Sequence, residues 1–262
     1  MPPNTDGRWS SSATRIPVPD PRLVDRDGNE IPADTRGLFV IHAILLHNGK
    51  VLWFCGHVEA AFYAPLSYVF DPKDPTAMLT RIDFPTGMDL FCCHYVQIPD
   101  GRILAFGGSD PDFVGHGSMG ARNMCIFDPN TERWSVSFTG GTINELRQGR
   151  WYPTPVVLPD GRVVVISGRR EHPSDVHPPD PPSVGVSITE IVEIMSPPNW
   201  TPAVLTGADF PFPIYPSMHL APNGRIYFSG TNWGQEIPNP ETMSIEVPAG
   251  APSASWTTHT GV

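Results

Sequence analysis

The sequence predicts an all-β protein that forms part of a β-propeller, a ring of four-stranded sheets called blades. Two observations support this fold class: proline and glycine are abundant, and a tight-turn signal recurs along the chain. The 262 residues include 32 prolines and 24 glycines. Because both residue types interrupt helices and punctuate turns, long helices are disfavoured. We therefore expect mostly strands and loops.

Four segments repeat one pattern: an apolar run, an Asn-Gly or Asp-Gly turn with a basic residue, and a second apolar run. Asn-Gly and Asp-Gly supply the positive φ that a tight hairpin turn requires, so each segment is predicted to be a β-hairpin. The turn glycines are Gly49, Gly101, Gly161 and Gly224, at spacings of 52, 60 and 63 residues. This spacing indicates a structural repeat.

A second, less regular sequence pattern follows each hairpin. It predicts a third strand, a turn that contains proline, and a short fourth strand. The copies of this pattern begin at Tyr68, Met124, Ile191 and Ser244, and the last three are followed by Trp134, Trp200 and Trp256. Four strands in each repeat are typical of a propeller blade, and the paired glycines and late aromatic residue are kelch-like. A β-sandwich with coincidental turns is the alternative fold.

We place the blades at about 37–86, 88–138, 148–204 and 211–262, which together form a partial propeller over residues 37–262. Residues 1–36 are an N-terminal segment, in which Gly7-Arg8-Trp9 could form an outer strand of another blade. A further inner strand would be expected soon after Trp256, so we interpret the chain as a piece of a larger ring. Residues 171–184 are expected to be a long loop on one face of the propeller.

The repeat spacing predicts that Cys92 and Tyr152 are neighbours in space. Nine residues before the turn glycines are Val40, Cys92, Tyr152 and Tyr215, which we place at the start of the innermost strands. Equivalent positions in successive blades lie at one height around the central channel. A slip of one residue would reverse the facing of a strand and exchange Cys92 for Cys93.

The residues around these positions resemble the galactose oxidase/glyoxal oxidase family of copper-radical oxidases. The resemblance lies in Asp89-Leu-Phe-Cys92 with Pro99-Asp-Gly-Arg, and in Gly149-Arg-Trp-Tyr152-Pro-Thr with Leu158-Pro-Asp-Gly-Arg. The glyoxal oxidase branch is more similar than galactose oxidase itself, through Arg-Trp-Tyr-Pro and the later Tyr215-Pro-Ser-Met-His.

This resemblance implies a seven-bladed ring with a central copper ion held by two tyrosines and two histidines. Cys92 would form a thioether with the ring of Tyr152, and Tyr152 would be a copper ligand. Copper accepts one electron and a tyrosine radical the second, so small aldehydes or primary alcohols would be oxidised by O2, giving H2O2. Tyr215 and Trp151 are candidates for lining the substrate channel.

The chain also departs from the family pattern. Family members carry one tyrosine and one histidine ligand as a Tyr-His dipeptide in a later blade, with the second histidine further on. No Tyr-His dipeptide occurs in the 262 residues, so we expect an incomplete copper site and a fragment of the family fold. Arg169-Arg170 stands where galactose oxidase has a stacking tryptophan, which favours a substrate other than galactose.

Other candidate ligands have simpler explanations. His42, His94 and His219 lie on or beside predicted inner strands, where hydrogen-bonded structural histidines are expected, and Cys93 and Cys125 are expected to be packing residues. His172 and His177 lie in a proline-rich loop that suits a metal site poorly. Residues 115–120 match G-x-G-x-x-G but open no predicted helix, so dinucleotide binding is not favoured.

Charge and hydropathy restrict the possible partners. A net charge of −10 removes the electrostatic attraction to nucleic acids and anionic membranes. The apolar runs are shorter than the ~20 residues of a membrane-spanning helix. Residues 1–14 show no apolar leader segment, whereas related oxidases are often exported. The sequence therefore does not assign the protein to a cellular compartment.

Two further expectations concern the whole chain. An incomplete ring exposes unpaired blade edges, which favour self-association. The alternative to an oxidase is a non-catalytic kelch-type propeller that binds carbohydrate or protein.

Overall fold

A computed structural model describes residues 40–55, 66–74, 79–110, 120–136, 138–139, 142–170, 188–230 and 242–259. Within these ranges the regular elements are strands, without a helix, and no segment is long and apolar enough to cross a membrane as a helix. Four four-stranded antiparallel sheets follow one another along the chain. The prediction of an all-β fold with four propeller blades is confirmed. The expectations for residues 1–36 and 171–184 fall outside the described residues.

The strands are numbered β1 to β18 in chain order. Blade 1 comprises β1 (His42–Leu45), β2 (Val51–Cys55), β3 (Leu66–Phe70) and β4 (Thr80–Ile82). Blade 2 comprises β5 (His94–Gln97), β6 (Ile103–Phe106), β7 (Met124–Asp128) and β8 (Arg133–Ser135). A two-stranded ribbon follows, made of β9 (Phe138–Thr139) and β10 (Thr142–Ile143).

Blade 3 comprises β11 (Thr154–Val157), β12 (Val163–Ile166), β13 (Glu193–Met195) and β14 (Pro202–Val204). Blade 4 comprises β15 (Met218–Leu220), β16 (Arg225–Phe228), β17 (Met243–Glu246) and β18 (Trp256–Thr258). In every blade the strands are arranged in chain order, each pairing with the next.

The first two strands of each blade are connected by the turn that the sequence predicts. The four turn glycines have φ values between 79° and 87°. In each turn the Asn or Asp side chain accepts a hydrogen bond from the backbone N–H two residues later, the bonding pattern of an Asx turn. The accepting residues are Asn48, Asp100, Asp160 and Asn223. Local turn chemistry therefore sets the period of the fold.

Apolar layers between successive blades form the core. Phe54 and Phe127 belong to the layer between blades 1 and 2, and Phe106 with Trp200 to the layer between blades 2 and 3. The layer between blades 3 and 4 includes Phe212, which is fully buried. These layers fix neighbouring blades relative to one another.

Phe212→Ala is expected to destabilise the protein by about 3–5 kcal/mol, because it opens a cavity in the layer between blades 3 and 4. The Phe212 ring lies 4.9 Å from Phe228 and 4.7 Å from Trp256, centroid to centroid. The free energy of unfolding in urea measures the loss. Ile143→Ala is the control: Ile143 is 42% exposed, so its truncation should change stability by about 1 kcal/mol or less. Equal losses for the two variants would contradict the assigned packing.

Candidate functional site

Three residues immediately before inner strands have a left-handed backbone. Their φ values are 58° for Cys92, 60° for Tyr152 and 49° for Tyr215. This conformation is uncommon for residues other than glycine, and such strain concentrates at functional sites. The structure places these residues two or three positions before the first paired residue of β5, β11 and β15, slightly earlier than the sequence predicts.

Backbone hydrogen bonds connect these three positions across the blades. The N–H of Tyr152 donates to the carbonyl of Cys92 at 3.0 Å, and the N–H of Tyr215 donates to the carbonyl of Tyr152 at 3.0 Å. Residues that are 60 and 63 positions apart in the sequence therefore lie side by side at one height. This is the arrangement that the repeat spacing predicts.

The side chain of Cys92, which is buried, hydrogen-bonds with that of Tyr152, which is partly buried. Burial raises the pKa of Cys92 to about 12, although the hydrogen bond with Tyr152 acts in the opposite direction. Burial and the neighbouring sulfur also raise the pKa of Tyr152, while the positive charge of Arg169 lowers it. Near neutral pH the site therefore holds a thiol and a phenol, both uncharged and in contact.

Two aromatic rings pack against Tyr152. The Trp151 ring centroid is 3.9 Å from that of Tyr152, and the Tyr215 centroid is 4.2 Å from it. The guanidinium of Arg169 lies 4.9 Å from the Trp151 ring, and the two backbones exchange hydrogen bonds of 2.8 and 2.7 Å. The indole that packs against Tyr152 therefore belongs to the residue before it, and the Arg169 guanidinium packs against that indole.

A cavity of about 680 Å³ opens beside this pair, with walls from the inner strands and the residues that precede them. Cys92, Tyr152 and Tyr215 all line it. The Tyr215 hydroxyl donates to the carbonyl of Cys93 at 3.4 Å. Trp151 is buried in an apolar cluster with Cys92, Ile188 and Ile214, against which Tyr152 packs, and it is not among the residues that line the cavity. A small molecule in the cavity would therefore meet Tyr152 and Tyr215 before it met Trp151.

Comparisons with known proteins agree with the sequence motifs. The chain is 28% identical over 145 residues to the aldehyde oxidase GLOX of Vitis pseudoreticulata, a match that covers 55% of this chain and 24% of that protein. The resemblance to the galactose oxidase/glyoxal oxidase family is confirmed. No family model matches the chain.

Among solved structures, the fold is similar to that of a fungal alcohol oxidase of the AA5 family determined in complex with copper. The TM-score is 0.56 and the sequence identity 16%, over 92% of this chain and 41% of that one. The chain therefore spans less than half the length of either oxidase that it resembles.

Other candidate ligands that the structure describes contact protein groups rather than the Cys92–Tyr152 pair. The Cys93 sulfur lies 3.7 Å from Nε2 of His42, in the layer between blades 1 and 2, so Cys92 rather than Cys93 faces Tyr152. Cys125 is fully buried in the same layer. His94 Nδ1 accepts a hydrogen bond from the N–H of Tyr95, and His219 contacts Ser229 at 2.9 Å. His172 and His177 fall outside the described residues.

The described side chains do not complete a copper site. In the ranges that the structure describes, no three His, Cys, Asp or Glu residues are grouped so that they could hold a metal ion. Tyr152 is a candidate for one ligand, since it lines the cavity and its side chain hydrogen-bonds with that of Cys92. The Tyr215 hydroxyl is directed at a backbone carbonyl instead. Among the described residues, the site therefore offers one candidate ligand next to a sulfur.

The stability of the fold should decrease as the pH falls from 6.5 to 4, partly because of His42. The ring is buried, stacks on Phe54 at 4.6 Å, and has a pKa lowered to about 4 by burial and by His94. In the unfolded chain its pKa is near 6.5, so the unfolded state binds more protons in this window. The cost at pH 4 should be about 2–3 kcal/mol.

Urea unfolding at several pH values measures this cost. The stability of His42→Gln should fall less between pH 7 and 4 than that of the unmodified protein. Parallel curves for His42→Gln and the unmodified protein would show that His42 is protonated freely in the folded state.

Proposed function

We propose that this chain is the propeller part of a copper-radical oxidase that oxidises small aldehydes or primary alcohols with O2 and releases H2O2. The observation that carries the proposal is the pairing of Cys92 and Tyr152 from two successive blades: their backbones are hydrogen-bonded at 3.0 Å and both residues line one cavity. The aldehyde oxidase and the alcohol oxidase that the chain resembles support the same reaction class.

Cys92 and Tyr152 are the residues that would form the redox cofactor. The thiol and a ring C–H of the phenol lose two hydrogens to O2, which gives a carbon–sulfur bond and H2O2. The thioether sulfur then donates electron density to the ring, so that a tyrosine radical forms more readily.

Tyr152 would have a second role as a copper ligand. When bound, copper supplies a one-electron acceptor next to the redox-active tyrosine, and the two together match the two electrons that an alcohol or aldehyde gives up. The remaining ligands would come from residues outside those described. Substrate would enter the cavity beside Tyr152 and Tyr215. The Arg169 side chain behind Trp151 favours a substrate other than galactose.

A second candidate function is a non-catalytic kelch-type propeller that binds carbohydrate or protein in the same cavity. The observation that favours it is that no three His, Cys, Asp or Glu residues among those described are grouped so that they could hold a metal ion. On this alternative, Cys92 and Tyr152 are packing residues and remain chemically unmodified.

Incubation with Cu(II) and O2 should join Cys92 to Tyr152, because the sulfur and the phenol are already in contact. Peptide mass spectrometry would detect a linked pair of peptides, lighter by two hydrogens than their sum. Cys92→Ser should abolish the link, whereas Cys93→Ser, with its side chain in the layer between blades 1 and 2, should not. Separate, unmodified peptides in every sample would leave the binding propeller as the better function.

We also propose that the chain self-associates through an open blade edge, that of blade 1, where β1 is the edge strand of the sheet. Leu45 is 68% exposed. It pairs across the sheet with Val51, and Val51 pairs with Phe70 on the next strand. The Trp53 ring stacks on that of Phe70. Sedimentation should show association that increases with concentration, and Leu45→Lys should weaken it because a charge would be buried in the contact. A monomer that persists at high protein concentration would rule out this contact.

A further inference from the structure

A fully buried ion pair lies two residues before Tyr152. Arg150 Nη2 and Nε approach Glu193 Oε2 at 2.9 and 3.2 Å, and both side chains are 0% exposed. Removing two charges from water is costly, and a well-packed apolar pair often gives equal or greater stability. The ion pair therefore calls for an explanation other than stability.

The pair binds backbone groups that an apolar replacement could not bind. Arg150 Nη1 donates to the carbonyl of Ser167 at 2.6 Å, and Nη2 donates to that of Ile191 at 2.9 Å. Glu193 Oε1 accepts a hydrogen bond of 2.7 Å from the N–H of Arg147. The planar guanidinium suits this set, because its N–H groups have a fixed fork geometry. The segment before Tyr152 is thereby attached to blade 3.

The backbone of Arg150 attaches the same segment to blade 2. Its N–H donates to the carbonyl of Ala121 at 2.9 Å, and its carbonyl accepts from the N–H of Gly108 at 3.0 Å. The approach is close: a Cβ on Gly107 would lie 2.0 Å from the Arg150 carbonyl oxygen. Arg150 thus connects the blade that carries Cys92 with the blade that carries Tyr152.

We propose that Arg150 and Glu193 are positioning residues that hold Tyr152 in its left-handed conformation against Cys92. The proposal rests on the proposed function, since it concerns the same cysteine–tyrosine pair. The φ of 60° at Tyr152 is unfavourable by itself, so the surrounding structure has to enforce it. The buried side chains enforce it from blade 3, and the Arg150 backbone enforces it from blade 2.

A metal-free experiment measures this positioning directly. In a Tyr152→Cys background, the thiol oxidant diamide should join the introduced thiol to Cys92, because the two backbones are hydrogen-bonded at 3.0 Å. Adding Arg150→Lys keeps a charge opposite Glu193 but loses the guanidinium fork. The rate of this disulfide, followed by peptide mass spectrometry, should fall about tenfold, as expected for displaced reacting groups.

Arg162→Lys is the matched control. Arg162 is also buried, binds Asp160 and donates to the carbonyls of Val247 and Pro248, but it lies at the turn glycine end of blade 3. We expect no change in the disulfide rate. A rate unaffected by Arg150→Lys, or slowed equally by both substitutions, would overturn the proposal.

Two further measurements ensure that every outcome either supports or overturns the proposal. If near-ultraviolet circular dichroism shows that Arg150→Lys does not fold, the double variant Arg150→Met/Glu193→Leu replaces it, and an unchanged disulfide rate there also overturns the proposal. In the chain with Tyr152 intact, Arg150→Lys should reduce the yield of the Cu(II)-dependent thioether several-fold. If the unmodified chain forms no thioether, the proposed function fails, whereas the disulfide rates still decide the positioning role.

Discussion

The site depends on two backbone hydrogen bonds that join three neighbouring blades side by side. One runs from the N–H of Tyr152 to the carbonyl of Cys92, and the other from the N–H of Tyr215 to the carbonyl of Tyr152. These bonds place one residue from each blade at one height, whatever its side chain. They also require the left-handed conformation that all three residues share. The fold thus provides the positions, and the residue types at those positions provide the chemistry. A sulfur beside a phenol is one of many pairs that the same backbone could present.

Much of the fold can be predicted from sequence because its period comes from local chemistry. Each Asn-Gly or Asp-Gly turn is formed by residues next to one another, and the Asx hydrogen bonds at Asn48 and Asp100 repeat in the later blades. Counting from the turn glycines then places Cys92 beside Tyr152. The position of Cys93, turned toward His42, follows from the same register.

The support of the site could not be predicted in this way. Arg150 and Glu193 are 43 residues apart, and no spacing rule connects them. A signal was available, however: Glu193 interrupts the apolar run Ile191-Val-Glu-Ile-Met, and an unpaired carboxylate is costly inside a buried strand. A charge at such a position indicates a buried partner, but only the structure identifies it. The stacking of Trp151 on Tyr152 was likewise missed, because adjacent residues usually point in different directions along a strand.

The contacts of Tyr152 indicate which of its atoms would react. The rings of Trp151 and Tyr215 pack against the phenol, at 3.9 and 4.2 Å between centroids. The side chain of Cys92 hydrogen-bonds with that of Tyr152, and the hydroxyl is the group of the phenol that can take part in such a bond. If the sulfur and the ring are joined as proposed, the bond would therefore form at the carbon next to the hydroxyl, the position from which sulfur also donates electron density to the phenol oxygen. The hydrogen bond and the chemistry proposed for Tyr152 thus favour the same carbon atom.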